Sequence, residues 1–150
     1  MKDFINNEFI VRHFRNGDFD QISILWDLTE MGNQLRGDDN KTIEDSIRIG
    51  GAMLILEEIK TEKVCGTSWM TFDGRRIHLH HFGILPEYQR KGLANILMRA
   101  SLKFVKSKGY QVKLEVHQSN SKAINLYKNS GFEYLGDYDI YIIRDISKVF

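Results

Sequence analysis

Gln89-Arg90-Lys91-Gly92-Leu93-Ala94 joins an apolar run, residues 82–85, to an amphipathic stretch, and its reading decides the fold. Leu93, Leu97, Ala100 and Phe104 form one stripe, widened by Ile96 and Val105, so a helix begins just after Gly92. It stops at Lys108-Gly109, with Lys103, Lys106 and Lys108 near its negative end. A strand thus runs through Pro86-Glu87-Tyr88 and a glycine-containing turn straight into a helix N-terminus. There the first four N–H groups lack intrahelical partners, and the macrodipole adds roughly half a positive charge. Small residues at Gly92 and Ala94 let an anion approach the backbone, and Arg90 and Lys91 add charge at the same end. For the helix alone those basic residues are unfavourable, by roughly 0.3–1 kcal/mol each. A bound anion reverses that sign. The alternative is a plain loop-to-helix junction with solvated basic side chains. Neither the Rossmann glycine pattern nor the Gly-Lys-Ser/Thr of a P-loop is present, which disfavours those nucleotide folds.

Upstream, residues 9–14 read as a strand, and Ile22, Leu25, Trp26 and Leu28 mark a helix from Asp18 to about Glu30. After a polar loop, residues 32–40, a second helix starts with Thr42 as N-cap and ends at Gly50-Gly51. Strands are expected over 52–59, 64–72 and 77–84, with Asp73-Gly74 as the hairpin signal before the third. Downstream, Val112, Leu114 and Val116 alternate with Lys113, Glu115 and His117, a half-buried strand. Ser119-Asn120 caps a helix running to Ser130, closed by Gly131, and residues 132–135 and 138–144 read as a final pair of strands. The expected fold is α/β, one domain over 1–150, with a mixed sheet of about seven strands and about four helices.

At 150 residues the chain can bury most of its apolar surface without metal or disulfide staples. A formal net charge of +1 gives no global field toward nucleic acid or an anionic membrane, so any anion must be held locally. The single cysteine, Cys65, excludes an internal disulfide and multi-cysteine zinc motifs, and its apolar run reads as a strand thiol rather than a nucleophile. No segment approaches the roughly 18 apolar residues of a membrane span, and residues 1–8 lack an apolar targeting core, so the cytoplasm is expected.

A second segment adds chemistry. Leu114-Glu115-Val116-His117-Gln118-Ser119-Asn120-Ser121-Lys122-Ala123-Ile124-Asn125-Leu126-Tyr127-Lys128-Asn129-Ser130-Gly131-Phe132 strongly resembles the C-terminal motif of the GNAT superfamily of N-acetyltransferases. That family also carries Gln/Arg-x-x-Gly-x-Gly/Ala after a strand, matched here by Gln89, Gly92 and Ala94. The likeness covers roughly residues 77–135. It implies a sheet splayed between its fourth and fifth strands, with acetyl-CoA as cosubstrate in the gap. By the same resemblance, backbone groups of Phe82, Gly83 and Ile84 hold the pantetheine arm. Those of Arg90, Lys91, Gly92, Leu93 and Ala94, in the loop opened by Gln89, bind the pyrophosphate. Asn120 falls beside the cofactor arm, or serves only as helix N-cap. Tyr127 matches the family's general acid; by itself a helical tyrosine reads as core. One departure is Asn129, where the family often has Lys or Arg, so contact of this helix with a 3′-phosphate is not implied.

Acetyl transfer needs a neutral amine. A lysine-like amine near 10.4 is neutral about once in 2,500 at pH 7, and an α-amine near 8 about one time in ten, so a base helps either. Glu115 leads. It lies twelve residues before Tyr127, as does the proposed catalytic glutamate of the bacterial ribosomal-protein N-terminal alanine acetyltransferases that this segment more weakly resembles. His117, His78, His80 and His81 are alternatives, and a solvated or helix-covered Glu115 is the bland one. No metal is expected, because alternation sends His80 and His81 to opposite faces with no fixed carboxylate partner. The expected activity is direct acetyl transfer to a primary amine, a protein N-terminus or a small molecule. The rival is a non-catalytic acyl-CoA-binding or sensory module. Asp38, Asp39, Glu44 and Asp45 could attract a cationic acceptor, and an exposed sheet edge makes a homodimer reasonable.

Overall fold

Ser68 and Trp69 are neighbours in one strand and bond to helices on opposite sides of the sheet. The Ser68 hydroxyl lies 2.7 Å from that of Ser101, while Trp69 Nε1 donates to Ser46 Oγ at 2.8 Å. Strand alternation thus sorts the helices into two layers around one sheet. The structure, a computed structural model, describes residues 3–4 and 7–149. The expected domain over 1–150 includes residues 1–2, 5–6 and 150, which lie outside the described residues.

Ten helices and strands follow in order: β1 Asp3–Phe4, β2 Phe9–His13, α1 Phe19–Leu28, α2 Asn40–Arg48, β3 Ala52–Glu58, β4 Lys63–Phe72, β5 Ile77–Ile84, α3 Leu93–Lys108, β6 Val112–Leu114 and α4 Ser121–Asn129. The sheet order is β1-β2-β3-β4-β5-β6, antiparallel except for the parallel β5–β6 pair. Ser46 places α2 with α1 on one face, where Ile22, Leu25, Trp26 and Ile43 are buried. On the other face α3 buries Leu97, Met98, Ala100, Ser101 and Val105, the stripe visible in the sequence. Each fully buried Leu or Ile contributes roughly 1.5–3 kcal/mol of transfer free energy. The Asp73-Gly74 hairpin forms, with Asp73 Oδ1 accepting from the N–H groups of Arg75 and Arg76 and Gly74 at φ +87°. Among the described residues no helix is long and apolar enough to cross a membrane.

Four expectations need correction. The sheet has six strands rather than about seven, and the short β1 was not anticipated. Residues 132–135 and 138–144 are not strands: they have the composition but no neighbour to pair with, and a strand without a ladder leaves its N–H and C=O groups unsatisfied. The strand expected through Val116 stops at Leu114, although its in–out alternation continues. Finally, α2 is capped by Asp39, whose carboxylate accepts from Thr42 N at 2.8 Å, so the helix begins earlier than the Thr42 signal placed it.

Candidate functional site

The site is set by a bulge. Thr67 pairs with Gly83 and Trp69 with His80, so His81 and Phe82 of β5 together oppose Ser68 alone. The extra residue, His81, has φ +40°. Buried Thr67 bridges the irregularity: its hydroxyl donates to His81 O at 2.9 Å and accepts from Trp26 Nε1 at 3.0 Å. From the bulge onward β5 is no longer paired with β6. Their pairing covers only Ile77↔Val112, His78↔Lys113 and Leu79↔Leu114, so the β6-facing edge of β5 from His80 onward has no strand partner. The expected splay lies there, between the fourth and fifth of the anticipated strands.

β5 leads through a 3-10 turn, Pro86–Tyr88, into the loop opening α3. Gln89 Nε2 donates to Ile84 O at 3.0 Å, tying the loop back to the end of β5. Two left-handed residues follow closely, Arg90 at φ +59° and Gly92 at φ +75°. That conformation is costly for an arginine, and it curls the amides into a concave turn. The N–H groups of Arg90, Lys91 and Gly92 donate to no acceptor among the described residues, and those opening α3 lack intrahelical acceptors by position. A Cβ on Gly92 would meet nothing within 4 Å, so its glycine is required by φ rather than by crowding. Leu93 is in the core, leaving only its backbone for binding. The geometry suits a phosphate-bearing ligand: a curled run of free donors at a helix N-terminus, with two basic side chains beside it.

At the mouth of the fork sit the two residues expected to do chemistry. Tyr127 on α4 is buried, edge-on to Phe82 (6.3 Å between centroids) and Phe132 (5.8 Å). Burial raises its phenol above the usual value. Glu115 directly follows the last paired residue of β6; its carboxylate is half-exposed and lies 3.9 Å from His78 Nε2. Asn120 Oδ1 accepts from Ala123 N at 3.2 Å, so the helix-cap role is occupied. His117 is held in the turn before α4, its Nδ1 2.7 Å from Ser119 Oγ.

The bulge also overturns the expected alternation of the histidines. Trp69 contacts both His80 (5.9 Å) and His81 (5.2 Å), so the two lie on one face, toward α1 and α2. His78 stacks on His80 at 3.9 Å, and His80 Nε2 is 2.8 Å from Thr71 Oγ1. His81 is packed against Trp26 at 4.5 Å, with Asp38 Oδ2 3.2 Å from Nε2. That contact is an ion-pair approach without hydrogen-bond alignment, and both ring nitrogens of His81 are buried without a hydrogen-bond partner. Shared facing removes the first argument against a metal, yet no group of three or more His, Cys, Asp or Glu converges among the described residues.

The family profile described as "Acetyltransferase (GNAT) family" matches residues 22–132. The chain belongs to the GNAT acetyltransferase family. Solved structures share the fold at low identity. An acetyltransferase from Streptococcus agalactiae is 20% identical, covering 92% of this chain and 93% of its own, with a TM-score of 0.77. The ribosomal-protein-S18-alanine N-acetyltransferase from Escherichia coli is 20% identical, with coverages of 83% and 77% and a TM-score of 0.70. The acetyltransferase AAC(6')-Iy, in complex with a CoA-S-monomethyl-acetylneamine bisubstrate analog, is 15% identical, with coverages of 91% and 99% and a TM-score of 0.70.

Within this GNAT domain, several residues that shape the site escaped sequence reasoning. Thr67 and Trp26 hold the bulge from β4 and α1, and nothing local in the sequence announces a contact across 41 positions. The acidic loop was visible as composition only, and its carboxylates have separate roles. Asp39 caps α2, Glu44 accepts from Asn40, Asp45 pairs with Lys41 and Arg48, and Asp38 alone meets the strand histidines.

His80 gives a pH prediction. Burial, reinforced by His78 and His81, pulls its imidazole down to about 4, so the folded protein holds it neutral. An unfolded histidine near 6.5 takes up a proton earlier, so the unfolded state binds more protons between about 6.5 and 4. Stability should therefore fall as pH drops through that window. His80→Gln is expected to flatten the decline in melting temperature between pH 7 and 4.5; parallel curves for the two proteins would show that His80 does not drive it.

Proposed function

We propose that this GNAT acetyltransferase moves an acetyl group from acetyl-CoA directly to a primary amine, either a protein N-terminus or a small-molecule amine. The observation that carries the reading is the coincidence of two features on one strand. β5 leaves β6 after Leu79, and its far end runs into the loop of unpartnered amides from Arg90 to Gly92. A long, thin ligand with a pyrophosphate suits that course: the amides of residues 90–94 take the anion, and the open edge of β5 at Phe82 and Gly83 takes the arm. Ile84 O is already engaged by Gln89, which makes Gln89 a brace for the loop in this reading. The cosubstrate supplies an acetyl thioester, an acyl group already activated toward amines.

The protein's part is proton management and positioning. Glu115, half-exposed beside His78, accepts the proton that the amine must lose. Burial lowers His78 from the ordinary imidazole range, with Glu115 opposing that shift, so the ring is neutral near pH 7 and can relay a proton. Tyr127 holds its hydroxyl proton toward the departing sulfur. The N–C bond forms as the C–S bond breaks; one proton leaves the nitrogen, and the sulfur departs as thiolate or thiol. A covalent acetyl-cysteine has no support, since Cys65 is buried and burial pushes its thiol up to about 11. Asp38, facing His81 beside Trp26, is the carboxylate best placed to favour a cationic acceptor.

The test is thiol release from acetyl-CoA across pooled small amines and N-terminal peptides, with the acetylated product identified by mass spectrometry. Tight acetyl-CoA binding without release for any acceptor would make the chain a sensor instead. Glu115→Gln should reduce kcat by roughly 10²-fold, within the range of general-base effects, with acetyl-CoA affinity unchanged. Undiminished turnover would transfer the base role to a histidine or to water.

A further inference from the structure

At Gly83 the place of a side chain is taken by Met31. A Cβ added there would collide with the Met31 thioether, 2.8 Å from Sδ and closer still to Cε. Gly83 is not in the left-handed region, so close approach, not backbone conformation, is what its missing side chain serves. Met31 is held over it from both sides. Glu30 before it has φ +56°, Met31 N donates to Trp26 O at 2.9 Å, and a Cβ on Gly32 after it would lie 2.6 Å from Trp26 Cε3. The turn after α1 is thus fixed against Trp26. Trp26 in turn bonds Thr67, the residue of β4 paired with Gly83. Met31 itself is half-buried and packed against the core.

That position matters because Gly83 stands on the stretch of β5 that β6 leaves unpaired. On the reading proposed above, the cosubstrate's arm runs from the amides of residues 90–94 back along this edge. Its sulfur then lies by Tyr127, which is edge-on to Phe82. Phe82 turns toward α4, and Gly83 turns the other way: directly paired residues share a face, and Thr67 points to Trp26 of α1. An acyl group on that sulfur, presented to an amine arriving over the histidines, extends toward the α1 side and meets Met31. We infer that Met31 is the end wall of the acyl pocket and sets the length of the chain that is transferred, admitting acetyl and excluding propionyl and longer groups. The inference rests on the cosubstrate reading and adds to it a residue that selects the donor. The wall is a thioether lying on a glycine, both apolar, so it selects by size and not by charge.

Calorimetric titration with acetyl-CoA, propionyl-CoA and butyryl-CoA, without any acceptor, measures the selection directly. A single methylene in an apolar pocket changes selectivity by about 10–200-fold, so wild type should bind propionyl-CoA at least about 10-fold more weakly than acetyl-CoA. Butyryl-CoA should bind more weakly again. Met31→Ala should bring the three thioesters close to equal affinity. Met31→Val removes less of the wall and should fall between, and it carries the test if the alanine variant does not fold. Met31→Leu, which nearly conserves volume, should keep the wild-type order. Equal affinity of wild type for all three thioesters overturns the inference, and so does a preference that Met31→Ala and Met31→Val leave unchanged. In either case acetyl-CoA still binds, and the cosubstrate reading stands. A wild-type protein that binds none of the three would remove that reading, and this one with it.

Discussion

Tyr127→Phe is expected to lower kcat by roughly 10²–10³-fold while changing acetyl-CoA affinity no more than a few-fold. The substitution keeps the ring, and with it the edge-on contacts to Phe82 and Phe132, and removes only the hydroxyl. What that hydroxyl can do is limited by its acidity. Burial holds the phenol above its ordinary value near 10, whereas a thiol lies near 8.5, so handing the proton fully to the thiolate is uphill by more than about 2 kcal/mol. Donating a hydrogen bond to sulfur as charge develops there has no such penalty. A fixed donor aimed at developing charge in a water-poor site is worth about 2.7–4 kcal/mol, which sets the expected loss. Steady-state kinetics together with calorimetric titration of acetyl-CoA separate the two quantities. Wild-type turnover in the Phe variant would return Tyr127 to the core-residue reading.

The parts of this fold legible in the sequence are those written in local chemistry. The α3 stripe from Leu93 to Phe104, the Asp73-Gly74 turn and the Asn120 cap depend on residues within a few positions of one another, and all are formed. The turn into α3 was legible for the same reason: Gly92 and the helix start sit side by side. Three things were not. The bulge at His81 rests on Thr67 and Trp26, and once a residue is inserted, strict alternation assigns every later side chain to the wrong face. The Asp38–His81 approach joins a loop to a strand 43 positions away, through packing that no local pattern encodes. The tail failed in the opposite sense. Residues 138–144 have the composition of a strand, but composition cannot supply the neighbour that makes one.

Those long-range contacts separate the two halves of the proposed site. The half proposed for the cosubstrate is backbone, namely the amides of residues 90–94 and the edge of β5 that β6 leaves unpaired. The half proposed for the acceptor is made of side chains: His78, His80 and His81, with Asp38 and Glu115 at its margins. On the proposed reading an acceptor would meet the imidazoles of His78 and His80, both lowered by burial, beside the carboxylates of Asp38 and Glu115, a setting that favours a cationic amine over an anionic one. On that reading, selection among amines falls to the loop carrying Asp38 and to whatever flanks Glu115.

Arg12→Met is expected to cost about 3–5 kcal/mol of stability, a large part of the 5–15 kcal/mol available to a domain. Arg12 is 4% exposed and is wrapped by two carboxylates. Its Nε donates to Glu57 Oε2 at 2.7 Å, and its Nη atoms to Asp18 at 2.7 and 2.9 Å, with a further short contact from Nη2 to Glu57. Asp18 stands at the N-cap of α1 yet makes no side-chain cap, because its carboxylate is taken by Arg12 and by Arg15 N. Methionine fills the space of the stem and leaves two buried carboxylates facing each other without a cation. Denaturant unfolding should show the loss, and adding Asp18→Asn and Glu57→Gln should restore part of it; a triple variant no better than Arg12→Met would mean that packing, not charge, is what Arg12 provides. The consequence reaches the candidate site through α1. The triad fixes the start of that helix to β2 and β3, and two turns along the same helix Trp26 donates to Thr67 and packs on His81. Loosening Arg12 should therefore relax the bulge that separates β5 from β6, so the single variant, assayed while still folded, should also bind acetyl-CoA more weakly.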